Sequence, residues 1–222
     1  MAETLTLSAD DGHQLAAYLA TPEGAPKGRV VVIQEIFGVN VHIRGVCDGF
    51  AADGYSALAP ALFDRVEPGI ELEYGDADMT RGRELRAQCP WDKVVLDMAA
   101  ARARLAAEGA VAVVGYCWGG SVTWLGATRL DFACAVGYYG GQIIDFVDET
   151  PRCPTLLHFG AEDGAIPMGD VDKIRAAHGN VPVHVYEGAG HGFNCERRAS
   201  HHPEAAALAR ERTLAFLAQH LG

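Results

Sequence analysis

Six short apolar segments, separated by stretches long enough to form helices, constrain the fold of this chain more than any other feature. The segments cover residues 29–33, 55–59, 110–114, 133–137, 155–159 and 181–186, and the predicted helices cover 42–52, 76–88, 91–107, 121–128, 171–178 and 203–221. Apolar strands that alternate with helices are typical of a mostly parallel sheet with helices on both faces. The last helix is expected to bury Leu208, Leu214 and Leu217.

The N-terminal residues follow a different pattern. Apolar residues alternate with polar or small ones at Leu5 and Leu7, and again at Leu15, Ala17 and Leu19, with Asp-Asp-Gly between the two runs. This alternation predicts an antiparallel hairpin at one edge of the sheet. Because the sequence contains no internal repeat, low-complexity segment or linker, we expect residues 1–222 to form a single α/β domain.

Composition limits the partners and the compartment. A formal net charge of −11 argues against nucleic acid and against an anionic membrane, since both require a basic face. The chain lacks a signal-peptide pattern and an apolar run of membrane-spanning length. The six cysteines are Cys47, Cys89, Cys117, Cys134, Cys153 and Cys195. Their spacing suggests neither a zinc site nor a disulfide framework, so reduced thiols in the cytoplasm are expected.

The pentapeptide Gly-Tyr-Cys-Trp-Gly at 115–119 follows an apolar strand and precedes a predicted helix. A G-x-C-x-G turn in that context presents its central side chain as a nucleophile, because small residues let the helix pass close to the strand. We therefore predict that Cys117 is a catalytic nucleophile. The alternative is a buried structural cysteine in a glycine-rich turn.

A thiol nucleophile needs a base, since an ordinary cysteine is mostly protonated at neutral pH. His191 follows the last predicted strand in a glycine-flanked loop and is the predicted base. His158 lies inside an apolar strand and is expected to be a hydrogen-bonded core residue. The other histidines are expected at the surface; they are His13, His42, His178, His184, His201, His202 and His220.

A carboxylate is needed to orient the base. Glu162 and Asp163 are adjacent in the loop after the fifth apolar segment, and Asp163 is preferred because it stands directly before the turn. The alternative for Asp163 is a solvated loop acid. The order Cys117, Asp163, His191 is the nucleophile, acid and base order of α/β-hydrolases.

Two further parts of such a site are expected near the first parallel strand. An oxyanion hole needs two N–H donors, and we assign one to the amide of Trp118 and the other to the loop at 34–40. Glu35 lies in the same loop, either close to Cys117 or turned to solvent. Beside the thiol, its charge would oppose thiolate formation unless the carboxylate accepts the proton itself.

Two other features have open interpretations. Tyr138 and Tyr139 end the strand after the elbow helix, and Tyr139 is taken as a substrate-binding residue, although packing aromatics would have the same sequence. Residues 61–74 are either a functional loop that closes as a lid or an ordinary surface excursion.

The chain resembles the dienelactone hydrolase family over nearly its whole length. The resemblance lies in the Gln-Glu-Ile-Phe-Gly-Val-Asn run at 34–40, the elbow at 115–120, the segment 135–140, the Asp163 loop, Gly190-His191 and residues 205–214. The combination of the 34–40 run with a cysteine elbow is highly specific to that family.

The resemblance implies an α/β-hydrolase that opens an ester or lactone through an acyl-thiol intermediate without metal or cofactor. By similarity, the amides of Ile36 and Trp118 form the oxyanion hole. Glu35 holds the thiol in a resting state and takes its proton when a substrate anion arrives. The resemblance implies a small-molecule substrate, and we expect a monomer or a small homo-oligomer.

The chain departs from the family pattern at the residues that bind the substrate carboxylate. The family has an arginine four positions after the catalytic histidine, where this chain has Cys195, with Arg197 and Arg198 further along. Arg81 or Arg83 matches the other carboxylate-binding arginine. This departure puts dienelactone itself in doubt as the substrate, whereas the hydrolase assignment stands.

Two other functions have to be distinguished from an ester hydrolase. Glutaminase-type domains also place a cysteine on a G-x-C-x-G elbow, but they have a glutamine where this chain has Ser121. A non-enzymatic thiol-sensing or ligand-binding module on a hydrolase fold would also use an accessible Cys117. The complete cysteine, aspartate and histidine set favours an enzyme.

Overall fold

The computed structural model describes residues 1–221, which form one eight-stranded sheet and six α-helices. The strands are β1 (Ala2–Ser8), β2 (Gln14–Ala20), β3 (Gly28–Ile33), β4 (Tyr55–Pro60), β5 (Val111–Tyr116), β6 (Cys134–Tyr138), β7 (Thr155–Gly160) and β8 (Val183–Tyr186). The helices are α1 (Val41–Ala52), α2 (Asp76–Ala87), α3 (Trp91–Ala106), α4 (Trp118–Arg129), α5 (Met168–Ala177) and α6 (Pro203–Leu221).

The strand order across the sheet is β1-β2-β4-β3-β5-β6-β7-β8. Strands β1 and β2 pair antiparallel, β2 pairs antiparallel with β4, and the remaining neighbours are parallel. The predicted α/β fold with an antiparallel edge hairpin is thus confirmed. Central strands β4 to β7 are buried at every residue, as expected for strands covered on both faces.

Helix α6 buries a different set of residues from the predicted one. Leu217 is buried, but Leu214 is only partly buried and Leu208 is 39% exposed, so the prediction for Leu208 is wrong. The buried stripe consists of Ala205, Ala209, Thr213 and Leu217, four residues apart. Small residues at this spacing let the helix lie close to the sheet, and Leu208 falls just outside the stripe.

Two of the histidines predicted at the surface are buried instead. His42 is 7% exposed near the start of α1, and His178 is 6% exposed after α5, where its Nε2 lies 2.6 Å from the carbonyl oxygen of Val147. The prediction for His158 is correct: its ring nitrogens lie 2.8 Å from the Tyr186 hydroxyl and 3.2 Å from the Thr213 hydroxyl. Burial lowers the pKa of His158, so its imidazole is neutral and acts as a hydrogen-bonded core residue.

The stretch at 61–74 packs against the loop at 34–40 through backbone and side-chain hydrogen bonds. After a short 3₁₀ helix at Leu62–Arg65, Glu71 pairs with Gly38. The Leu72 amide donates to the Phe37 carbonyl at 2.9 Å. This contact fixes the position of the loop that contains Glu35.

None of the helices within residues 1–221 combines the length and apolar character needed to span a bilayer.

A buried ion pair joins the N-terminal hairpin to α3. Arg65 donates to both carboxylate oxygens of Asp97, at 2.7 and 2.8 Å, and to Asp11 at 3.0 Å. The Asp97 side chain is fully buried and that of Arg65 is 10% exposed. Burial raises the pKa of Asp97 although Arg65 opposes that rise.

We predict that Arg65→Met lowers the free energy of unfolding at pH 7 by about 3–5 kcal/mol, because Asp97 is left as an unpaired buried charge. Urea-induced unfolding measures this change. Arg152→Met is the matched control, since the Arg152–Asp131 pair is solvent-exposed and contributes little. Equal effects of the two substitutions would contradict the role assigned to Arg65.

Candidate active site

Cys117 occupies a strained turn between β5 and α4. Its backbone has φ 56° and ψ −119°, a left-handed φ that is costly for a residue other than glycine. A Cβ at Gly119 would lie 2.5 Å from the Ile33 carbonyl oxygen, and one at Gly115 would lie 2.0 Å from the Gly119 carbonyl oxygen. Both flanking positions therefore require glycine, and α4 starts three residues earlier than the sequence predicted because the helix begins directly after Cys117.

The structure brings Cys117, His191 and Asp163 together. His191 Nε2 lies 3.1 Å from Cys117 Sγ, and His191 Nδ1 lies 2.8 Å from Asp163 Oδ2. These distances correspond to a nucleophile beside a base and a base beside its orienter. Cys117 remains partly accessible to solvent, whereas the Asp163 side chain is fully buried.

Asp163 is held in place by the loop that follows β7. Its Oδ1 accepts hydrogen bonds from the amides of Ala165 at 2.8 Å and Ile166 at 3.2 Å. The other oxygen is left to accept from His191, which selects the tautomer with hydrogen on Nδ1 and directs Nε2 toward sulfur. The carboxylate therefore orients the ring and is itself oriented by backbone amides.

The loop after β8 positions His191. Ser200 Oγ donates to the His191 carbonyl oxygen at 2.7 Å, and Gly192 has a left-handed φ of 77°. Burial opposes protonation of His191, but the charge of the Cys117 thiolate and the hydrogen bond to Asp163 outweigh it. Together they raise the pKa of His191 to about 10.

Glu35 is buried behind the elbow rather than turned to solvent. Its carboxylate accepts from the Tyr74 hydroxyl at 3.2 Å and from Arg198 Nη1 at 3.3 Å. The charge of Glu35 raises the pKa of Arg198, against the opposing effect of burial. His42 and Cys195 place potential metal-ligand atoms within 4.8 Å of this carboxylate and of each other.

A cleft of about 180 Å³ opens beside Cys117 and His191. Ile36 and Trp118, the two residues expected to supply oxyanion-hole amides, line this cleft. So does Arg83, whose Nη2 lies 3.3 Å from Met79 Sδ.

Two predicted substrate-binding residues lie outside the lining of the cleft. Arg81 forms ion pairs with Glu67 and Glu84. Tyr139 is fully buried, with its ring centroid 5.2 Å from that of His191 and a hydroxyl that has no hydrogen-bond partner within residues 1–221. Its backbone has a left-handed φ of 38°.

Two arginines that line the cleft were not assigned to the site from the sequence, although Arg198 was noted as displaced from the family position. Arg86 follows Arg83 by three residues, so helical spacing places both on one face of α2. Arg198 lies seven residues after His191, and only the fold shows that it reaches Glu35. The helical spacing was a usable signal for Arg86. For Arg198 the displaced arginine after His191 was a signal, but the sequence did not distinguish it from Arg197.

Comparisons with known proteins agree with this architecture. The model of the "Dienelactone hydrolase family" matches residues 15–221. A "Putative carboxymethylenebutenolidase" of Synechocystis sp. is 37% identical, covering 92% of this chain and 91% of the relative. The "Carboxymethylenebutenolidase" of Pseudomonas putida is 34% identical over 98% and 97% of the two chains. A crystal structure named "Putative Dienelactone Hydrolase" from Klebsiella pneumoniae matches with TM-score 0.86 and 33% identity over 99% of each chain.

We predict that Cys117→Ser lowers the pKa of the His191 imidazole from its raised value of about 10, because the negative charge of ionised Cys117 is among the causes of that raised pKa. Nuclear magnetic resonance of the ring nitrogens measures the titration in both proteins. An ordinary histidine titration in the wild type, unchanged by Cys117→Ser, would contradict this electrostatic coupling.

Proposed function

Because this chain belongs to the dienelactone hydrolase family and is a hydrolase of lactones or esters, we propose that it works through Cys117, His191 and Asp163. The observation that carries the proposal is the unbroken series of contacts from sulfur to imidazole to carboxylate, at 3.1 and 2.8 Å. The cleft opens directly onto Cys117, which suits a small ester or lactone.

In the first half-reaction, Cys117 Sγ attacks the acyl carbon and forms a carbon–sulfur bond. The negative charge that develops on the carbonyl oxygen is stabilised by the amides of Ile36 and Trp118. The proton that leaves sulfur resides on His191 and is then given to the departing alkoxide oxygen. The carbon–oxygen bond breaks, leaving a thioester; with a lactone, the alcohol stays attached to the acyl group.

In the second half-reaction, His191 takes a proton from water while the water oxygen attacks the thioester carbon. The carbon–sulfur bond breaks, the carboxylic acid leaves and the Cys117–His191 pair is restored. Asp163 remains ionised and stabilises the imidazolium in both halves. Its two backbone amide contacts support this assignment, because they keep the carboxylate fixed while the ring changes charge.

Glu35 is proposed to control when the thiol loses its proton. In the arrangement described here, Tyr74 and Arg198 hold the Glu35 carboxylate while sulfur contacts His191. A substrate anion that engages Arg198 would weaken its pairing with Glu35. The freed carboxylate then accepts the thiol proton, as the family resemblance implies, and passes it to His191, which gives it to the departing alkoxide.

The charges around the cleft favour an anionic substrate. Arg83, Arg86 and Arg198 all line the cleft, in a chain whose net charge is −11. Arg86 also lies over the Trp91 ring, 5.6 Å from its centroid, which restricts its position. We propose Arg83 and Arg86 as the carboxylate-binding pair on α2. Tyr139 is proposed to support the His191 imidazole by packing against it, with the ring centroids 5.2 Å apart.

We predict that Cys117→Ala and His191→Ala each abolish hydrolysis of an activated aryl ester, because both half-reactions need the thiol and the base. Cys153→Ala is the matched control, since Cys153 lies outside the cleft, and it should retain wild-type kcat/KM. Retained turnover in both site variants would refute the mechanism. Rapid labelling of Cys117 without hydrolysis of a broad ester panel would instead favour a thiol-sensing module.

We further predict that Arg83→Ala and Arg86→Ala each lower kcat/KM for a carboxylate-bearing lactone by about 10- to 100-fold, the usual value of a charged hydrogen bond. A neutral aryl ester of similar size should be nearly unaffected. Arg81→Ala serves as the control, since Arg81 pairs with Glu67 away from the cleft. Equal losses on anionic and neutral substrates would exclude Arg83 and Arg86 as carboxylate anchors.

A further inference from the structure

Three side chains behind the elbow form a compact buried group that the proposed hydrolysis uses only in part. Glu35, His42 and Cys195 bring a carboxylate oxygen, an imidazole nitrogen and a sulfur within 4.8 Å of one another. Glu35 and Cys195 are completely buried and His42 is 7% exposed. We propose that this Glu35–His42–Cys195 cluster is a Zn²⁺-binding site, distinct from the Cys117–His191–Asp163 series.

The ring of His42 supplies the strongest indication of a ligand. Its Nε2 is buried and has no hydrogen-bond partner within residues 1–221, although buried polar atoms are nearly always paired. Burial lowers the pKa of His42, so the ring stays neutral at physiological pH. A neutral imidazole with an unpaired nitrogen is the form that binds a transition metal.

The combination of donor atoms fits zinc better than a harder cation. Sulfur, imidazole nitrogen and carboxylate oxygen are the three ligand types that Zn²⁺ takes from proteins, whereas Mg²⁺ and Ca²⁺ prefer oxygen alone. Burial and the charge of Glu35 raise the pKa of the Cys195 thiol to about 11. Binding must therefore displace one proton from sulfur for each ion bound.

The spacing of the three donors is slightly wider than that of a formed zinc site. Ligands about 2.0–2.3 Å from a tetrahedral ion lie about 3.5 Å from one another. Because the donor atoms are up to 4.8 Å apart, each would have to move by about 1 Å, through rotation of its side chain, to reach the ion. Three protein ligands would leave a fourth position for water, which is common for zinc.

An ion can reach His42 through a groove on the outside of the molecule that is separate from the cleft. His42 lines this groove together with Asn194, and Cys117 does not line it. Two carboxylates, of Asp53 and Glu196, and two guanidinium groups, of Arg197 and Arg210, also line the groove, so its formal charges balance.

Zinc in the cluster would compete with Arg198 for Glu35. Arg198 now donates to the Glu35 carboxylate at 3.3 Å and also lines the cleft. Coordination of that carboxylate would release the guanidinium for an anion in the cleft. This last consequence rests on the proposed function, whereas binding of zinc does not.

The test uses the full-length chain with Cys117→Ser, which removes the competing sulfur next to His191. Calorimetric titration with Zn²⁺ in buffers of different ionisation enthalpy should give one ion bound and about one proton released per chain. Titration with Co²⁺ should produce a thiolate-to-cobalt charge-transfer band. Adding Cys195→Ser should remove the band and weaken Zn²⁺ binding at least about tenfold. Adding His42→Gln should weaken Zn²⁺ binding by a similar factor.

Cys153→Ser in the same background is the control and should change neither the band nor the affinity. X-ray absorption at the zinc edge of the Cys117→Ser protein gives a readout that does not depend on folding of the cluster variants. It should show one sulfur at about 2.3 Å. A shell of nitrogen and oxygen alone, an unchanged affinity after Cys195→Ser, or no binding of Zn²⁺ would overturn the proposal.

Discussion

The left-handed backbone at Cys117 is the constraint on which the rest of the site depends. A φ of 56° at a non-glycine residue persists only where the surroundings determine it. Here the close approach of α4 to β3 and β5 does so, through Gly115 and Gly119, where a Cβ would collide with backbone oxygens. The sharp turn places sulfur at the carboxyl edge of the sheet, where the loops after β7 and β8 place Asp163 and His191.

Charge is distributed on two sides of this sulfur. On one side, the charge of ionised Cys117 and the hydrogen bond to Asp163 raise the pKa of His191 against the effect of burial. On the other, Arg198 neutralises Glu35 and Tyr74 donates a hydrogen bond to its carboxylate. An anion bound to Arg198 or a cation bound to Glu35 would break the Glu35–Arg198 ion pair. Either ligand would thereby change the net charge on this side of the sulfur.

The sequence predicted the sheet, the edge hairpin and the association of Cys117, Asp163 and His191, because each depends on local signals: apolar runs, glycines at tight turns and chain order. It did not predict features that depend on long-range packing. His42 is polar and near the start of a helix, so local pattern suggested the surface, yet it is buried and the rings of Tyr74 and Tyr116 lie 6.4 Å from its own. Arg198 contacts Glu35 and lines the cleft only because the loop after His191 folds back toward the elbow. Leu208 is exposed because α6 buries the stripe formed by Ala205, Ala209, Thr213 and Leu217, and Leu208 lies outside that stripe.

Capture of the acyl-enzyme tests the central claim most directly. A slowly turned-over aryl ester is mixed with the protein, the reaction is quenched with acid during turnover, and the peptides are analysed by mass spectrometry. The mechanism predicts a mass increase equal to the acyl group on the peptide that contains Cys117, removable by hydroxylamine and absent in Cys117→Ala. Hydrolysis that proceeds without acylation of Cys117, or with the acyl group on another residue, would contradict the account.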